Sequence, residues 1–188
     1  MRGRALKPKI AVLGSASGLL SPEQHARAYA VGEAIARLGG IVLTGACPGL
    51  PHDATIGARS SDGLTIGISP AAHLAGHIAE YGYPTDSNVL IFTGMGRKGR
   101  NVILVRSADA CIFVGGGMGT LNEFTIALDE LAANDAIGIL MGSGGIADEL
   151  PRLLSDYGGQ PATPIVQESD PARLVERVVA HLHRRQTQ

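Results

Sequence analysis

Tryptophan is absent from this chain, and aromatic residues supply only 4% of its 188 positions. A protein so poor in flat rings has little with which to stack on single-stranded nucleic acid. The net charge of −1 likewise gives no chain-wide attraction to phosphate backbones. Nucleic acid is therefore not the expected partner. Two cysteines are too few for a disulfide framework. Cys111, inside the apolar run "ACIFV", reads as a packed hydrophobe. No apolar run approaches a membrane span, and the segment "MRGRALKPKIAVLG" is broken too early to serve as a signal peptide. These absences lead to the expectation of a cytoplasmic protein without a membrane partner.

What is present is small and aliphatic. Hydrophobic residues make up 45% of the chain, as the buried strands of a parallel α/β sheet require. Strand-like runs at 9–16, 41–46, 64–70, 88–94, 110–116 and 136–142 alternate with helical patterns, and a short strand is expected at 164–168. Ser21-Pro22 with Gln24 reads as a capping box, and Gly39-Gly40 ends that helix. The alternation predicts a Rossmann-like α/β fold: a doubly wound, mostly parallel sheet of six or seven strands with helices on both faces. One domain is expected over 1–188, with loose ends at 1–8 and 185–188.

Glycine is abundant, with 26 residues, and it gathers where strands end: "GSASG", "TGACPG", "TGMGRKG", "VGGGMG", "MGSGG". In doubly wound sheets the carboxyl ends of the strands are where ligands bind. The P-loop pattern is absent. "GMGRKG" (94–99) fits the dinucleotide pattern only in letters, because it follows a middle strand and lacks the acidic residue expected about twenty positions later. "GGGMGT" is better placed, between the fifth strand and a helix start, where free N–H groups favour an anion. Thr120 and Glu123 also form a T-x-x-E capping box, so Glu123 could serve only the backbone. Nearby Arg97, Lys98 and Arg100 form a cationic cluster in a chain with only three lysines, at 7, 9 and 98. Arginine holds phosphate bidentately. The residues expected around a phosphate-containing small molecule are Gly14, Ser15, Gly45, Gly94, Met95, Arg97, Gly115, Gly116, Gly117, Met118, Gly119 and Thr120.

Other constellations carry less. His73 and His77 are spaced for one helix face but have no third ligand, so no metal site is expected. Cys47 with His52 as base is a weak nucleophile pattern; a small packed residue in a turn is the simpler reading. "RSAD" (106–109) ends a helix before a strand, and Arg106 is expected to pair with a nearby acid.

The segment "TGMGRKGRNVILVRSADACIFVGGGMGTLNEF" resembles the core of the Lonely Guy (LOG) family and its wider SLOG superfamily. That superfamily also takes in proteins labelled as lysine decarboxylases, relatives of DNA-processing protein A, and molybdenum-cofactor carrier proteins. Gly116, Gly117, Gly119, Thr120 and Glu123 match the P-G-G-x-G-T-x-x-E signature, with Gly115 in place of the proline. Arg100 falls on the family's functional arginine, and Asn101 replaces the lysine that usually follows. The resemblance implies a homodimer holding a nucleotide or a molybdopterin-type ligand, as in the carrier-like branch. Alternatively it implies a nucleoside 5′-monophosphate phosphoribohydrolase that needs no cofactor, with Arg100 and Glu123 catalytic. Pyridoxal-phosphate decarboxylation is not expected, since a Schiff base needs a lysine and only Lys98 lies near the expected site.

Overall fold

Ser21 starts the first helix as its neighbours dictate. Its hydroxyl accepts from the Gln24 amide (3.2 Å), and the Gln24 side chain accepts from the Ser21 amide (2.9 Å). Strand and helix then alternate to the end of the computed structural model, which describes residues 6–184. The strands are β1 (Lys9–Gly14), β2 (Ile41–Thr44), β3 (Leu64–Ser69), β4 (Val89–Phe92), β5 (Ala110–Val114), β6 (Ala136–Leu140) and β7 (Ile165–Glu168). The helices are α1 (Pro22–Arg37), α2 (Leu50–Ser60), α3 (Leu74–Ala79), α4 (Gly96–Arg106), α5 (Met118–Glu130), α6 (Gly145–Tyr157) and α7 (Pro171–Arg184). The loose ends expected from sequence lie, for 1–5 and 185–188, outside the described residues.

The seven strands of the described residues form one sheet in the order β4-β3-β2-β1-β5-β6-β7, and every neighbouring pair is parallel. The Rossmann-like α/β expectation therefore holds, and the sheet is wholly rather than mostly parallel. Side chains alternate between its faces with the period of a strand. Ile10 and Val12 of β1 meet α1, α2 and α7 through Val31, Ile35, Leu50 and Val178. Ala11 and Leu13 meet α4, α5 and α6 through Leu104, Phe124 and Leu150. Gly32 lets α1 and α2 pack backbone to backbone, since a Cβ there would run into the Ala54 carbonyl.

The chain winds from β1 out to β4, then returns to lay β5 against the other side of β1. Helices leave β1 and β5 toward opposite faces, which opens a crevice beyond their carboxyl ends. Ala11 pairs with Cys111 and Gly14 with Val114, so both strands reach that crevice in register.

The segment after β3, which reads as loop in the sequence, contains the six-residue α3. His73 caps this helix, its ring nitrogen accepting from the Gly76 amide (3.0 Å). His77 is fully buried. Among the described residues no group of three or more metal-ligating side chains comes together, and no helix is long and apolar enough to cross a membrane.

Candidate functional site

The β5–α5 turn is held from below by hydroxyls. Ser143 donates to the Leu140 carbonyl (2.6 Å) and accepts from the Gly115 amide (2.9 Å). Ser15, just past β1, accepts from the Gly116 amide (2.7 Å). The turn's carbonyls are taken by the start of α6: Ile146 donates to Gly116 and Ala147 to Gly115. Gly116 sits at φ 95°, a left-handed conformation natural to glycine, and a Cβ there would run into the Thr120 side chain. Helix α5 then starts at Met118 with Gly117 as N-cap and no side-chain cap. Its first bond to the cap runs from the Leu121 amide to the Gly117 carbonyl (2.9 Å). The amides of Met118, Gly119 and Thr120 precede that bond and are the donors a helix start leaves to a ligand.

These groups border a cavity of about 690 Å³, within the range of small-molecule sites. Its walls come from four other stretches: Gly14–Ser17 at the end of β1, Cys47 and Pro48 after β2, Tyr81 and Tyr83 before β4, and Arg97, Lys98, Arg100 and Asn101 on α4. Arg100 is only 5% exposed, and among the described residues its Nε has no hydrogen-bond partner. The guanidinium lies against Gly45, where any side chain would collide with it. The next residue, Ala46, is held at φ 53°, an uncommon conformation for a residue with a Cβ.

Glu123 is 7% exposed and faces the same cavity. Burial pushes its carboxyl up to about 7, with Arg100 and Lys98 pulling the other way. No ion pair joins Arg100 and Glu123 among the described residues, and both side chains line the cavity. The Asn101 carboxamide donates from Nδ2 to Asn122 Oδ1 (3.0 Å), and turned over it would instead donate to Glu123 Oε1 (3.1 Å) and to the Arg97 carbonyl (2.9 Å). The capping-box expectation for Thr120 and Glu123 does not hold. The glycines let the helix begin earlier, so Thr120 lies inside the first turn and Glu123 is released to the cavity.

The sequence matches the model of the SLOG cluster4 family over residues 7–160. The chain belongs to that family. An uncharacterized protein of Archaeoglobus fulgidus is 39% identical to it over 123 residues, which is 65% of this chain and 74% of that protein. The molybdenum cofactor binding protein of Rippkaea orientalis is similar in structure, with 31% identity and a TM-score of 0.72 over 94% of this chain and 98% of that one. The molybdenum cofactor carrier protein of Chlamydomonas reinhardtii gives 27% identity and a TM-score of 0.73 over 95% and 99%.

In this SLOG cluster4 protein the predicted residues separate into two groups. Gly14, Ser15, Arg97, Arg100, Gly116, Gly117, Met118, Gly119, Thr120 and Glu123 all border the cavity. Gly45, Gly94, Met95 and Gly115 do not. Gly45 and Gly115 lie behind it, seating Arg100 and anchoring the turn. Gly94 makes the bend after β4, donating to the Ala71 carbonyl (2.9 Å), and Met95 is exposed. The Cys47–His52 pattern does not assemble. His52 is paired with Asp86 (3.0 Å), and burial pushes the Cys47 thiol up to about 11, far from a thiolate at neutral pH. Cys111 is buried in β5, as its sequence context suggests. Tyr81 and Tyr83 are site residues that sequence reasoning missed. Their one signal is that two of only four tyrosines stand two positions apart in a glycine- and proline-bearing loop.

Proposed function

We propose that this protein binds a phosphate-bearing, nucleotide-like small molecule and acts as its carrier or binding protein. The observation that carries the reading is the pairing of the uncapped α5 N-terminus with the buried, unpartnered Nε of Arg100 on one cavity. A buried guanidinium nitrogen without a partner is costly unless something else supplies an acceptor. A phosphate oxygen does so, and the α5 amides face the same space. Arg97 and Lys98 add two more cations at the rim. The likeness to the Rippkaea molybdenum cofactor binding protein and the Chlamydomonas carrier protein supports a molybdopterin-type ligand as one candidate. The residues fit that group: its phosphate suits the α5 turn, and the three cations suit an anionic metal centre. Such a ligand would bring its own redox chemistry, while the protein would hold and shield it.

A second reading is favoured by one observation. Glu123 is freed from capping and faces the cavity with Arg100. In a nucleoside 5′-monophosphate, water would add to the sugar C1′ as the bond to the base nitrogen breaks. A protonated Glu123 would donate to the departing nitrogen or, ionised, would stabilise the positive charge on the sugar. Arg100 would hold the phosphate.

One experiment tests both. Purified protein is denatured, and the released small molecules are identified by mass spectrometry. In parallel, the native protein is incubated with a panel of nucleoside monophosphates, and free base and ribose 5-phosphate are scored. Co-purified pterin or nucleotide without turnover supports the carrier. Base release that is abolished in Glu123→Gln supports the hydrolase. Failure of the protein to bind any phosphate ester overturns the phosphate seat itself.

A further inference from the structure

Tyrosine is scarce in this chain, with four residues in all, yet two of them stand on the cavity wall. Tyr81 and Tyr83 are half-buried, with ring centroids 5.4 Å apart and planes tilted by 55°. They are fixed rather than loose. The Arg97 guanidinium lies 5.8 Å from the Tyr81 ring centroid, and its charge also acts on the Tyr83 hydroxyl.

Buried His77 holds the loop that carries them. Its Nε2 donates to the Pro84 carbonyl (2.9 Å), and its Nδ1 accepts from the Ser69 hydroxyl (2.8 Å). Its ring meets Tyr83 edge to face at 5.7 Å, and the Tyr83 amide donates to the His77 carbonyl (3.2 Å). A fully buried histidine with both ring nitrogens bonded is a rigid anchor. It spans β3 and the loop before β4, so the tyrosines are set by the sheet itself.

Arg100 is a charged neighbour of both Tyr83 and Glu123, and the tyrosines line the same cavity as the glycine turn. The cavity therefore offers amides and cations together with π faces backed by a cation.

We propose that Tyr81 and Tyr83 form the docking face for a planar heteroaromatic ring, so that the preferred ligand carries both a phosphate and a ring, and a sugar phosphate alone is a poor ligand. This rests on the phosphate-seat reading and adds the second half of the ligand. Purines and pterins share the required chemistry, a flat, electron-poor ring bearing a phosphomonoester within reach. The two tyrosines and Arg97 are the specificity-determining residues. His77 is a positioning residue that acts through Tyr83.

The test uses the full chain and three probes: ribose 5-phosphate, guanosine 5′-monophosphate and neopterin monophosphate, each titrated by calorimetry. A stacked ring is worth about 1–3 kcal/mol, so at least one ring-bearing probe should bind roughly tenfold tighter than ribose 5-phosphate. Whichever ring probe binds tighter identifies the source of the ring. In Tyr81→Ala and Tyr83→Ala that advantage should fall to about twofold or less, while ribose 5-phosphate binds as in the unmodified protein. Tyr83→Leu, which keeps bulk without a π face, carries the comparison if Tyr83→Ala fails to fold. Equal affinity of the unmodified protein for ribose 5-phosphate and both ring probes overturns the inference and leaves the phosphate seat standing. A ring advantage that survives both tyrosine substitutions does the same. Failure of all three probes to bind overturns the seat and the inference together.

Discussion

Replacing Glu123 with glutamine should stabilise the ligand-free protein, and should do so more as pH rises. The carboxyl is pushed from its ordinary 4.5 up to about 7, chiefly by burial. The folded state therefore binds this proton more tightly than the unfolded chain does. The group's contribution is fully present below about 4.5 and is lost as pH rises toward about 7, because the folded state must then carry a poorly solvated charge. Each tenfold change in proton affinity is about 1.4 kcal/mol, so the ionised side chain costs on the order of 3 kcal/mol at alkaline pH. The glutamine side chain of Glu123→Gln has nearly the same shape, keeps a hydrogen-bonding group for the neighbouring Asn101 carboxamide and never ionises. The variant should exceed the parent by about 1 kcal/mol near pH 5 and by about 3 kcal/mol near pH 8. For a chain of this length that larger difference raises Tm by roughly 6–12 °C. The assay is urea and thermal unfolding of both proteins, stripped of ligand, across that pH range. A stability difference that does not grow with pH would refute the claim that a desolvated carboxylate sits in the cavity.

Three further outcomes follow from the same geometry. Gly45→Ala puts a methyl where the Arg100 guanidinium lies and should weaken binding of a phosphate ester at least about tenfold by calorimetry, a loss of about 1.4 kcal/mol. Ser143→Ala leaves the buried Gly115 amide without its acceptor and should cost about 1–3 kcal/mol in urea unfolding, with weaker anion binding as the turn loosens. Gly32→Leu forces α1 away from the Ala54 carbonyl of α2 and should destabilise the fold by at least about 1–3 kcal/mol without changing which ligands bind.

Most of the architecture was legible because it rests on local rules. The apolar runs of β1, β5 and β6 could only be buried strands, and the Ser21–Gln24 box reported the start of α1 correctly. The same rule failed at Thr120–Glu123. Capping is decided by where the chain first becomes helical, and three glycines in a row permit an earlier start than the T-x-x-E spacing implies. The site's glycines and cations were readable, because such residues are unusual wherever they cluster. Its tyrosines were not. Tyr81 and Tyr83 reach the cavity only because buried His77 ties their loop to β3, and no spacing in the sequence announces that tie. Arg106, by contrast, finds an acid as expected, pairing with Glu130 at 3.4 Å.

The hydroxyl anchors beneath the β5–α5 turn have a consequence for mutagenesis and for sequence drift. The groups that would touch the ligand at positions 118–120 belong to the main chain, so trimming side chains one at a time would leave them in place. An alanine scan of Met118 and its exposed neighbours should look silent even though their amides would seat the ligand. Sensitivity should appear instead at Ser15 and Ser143, which need never meet a ligand to set the height and tilt of the peptide planes.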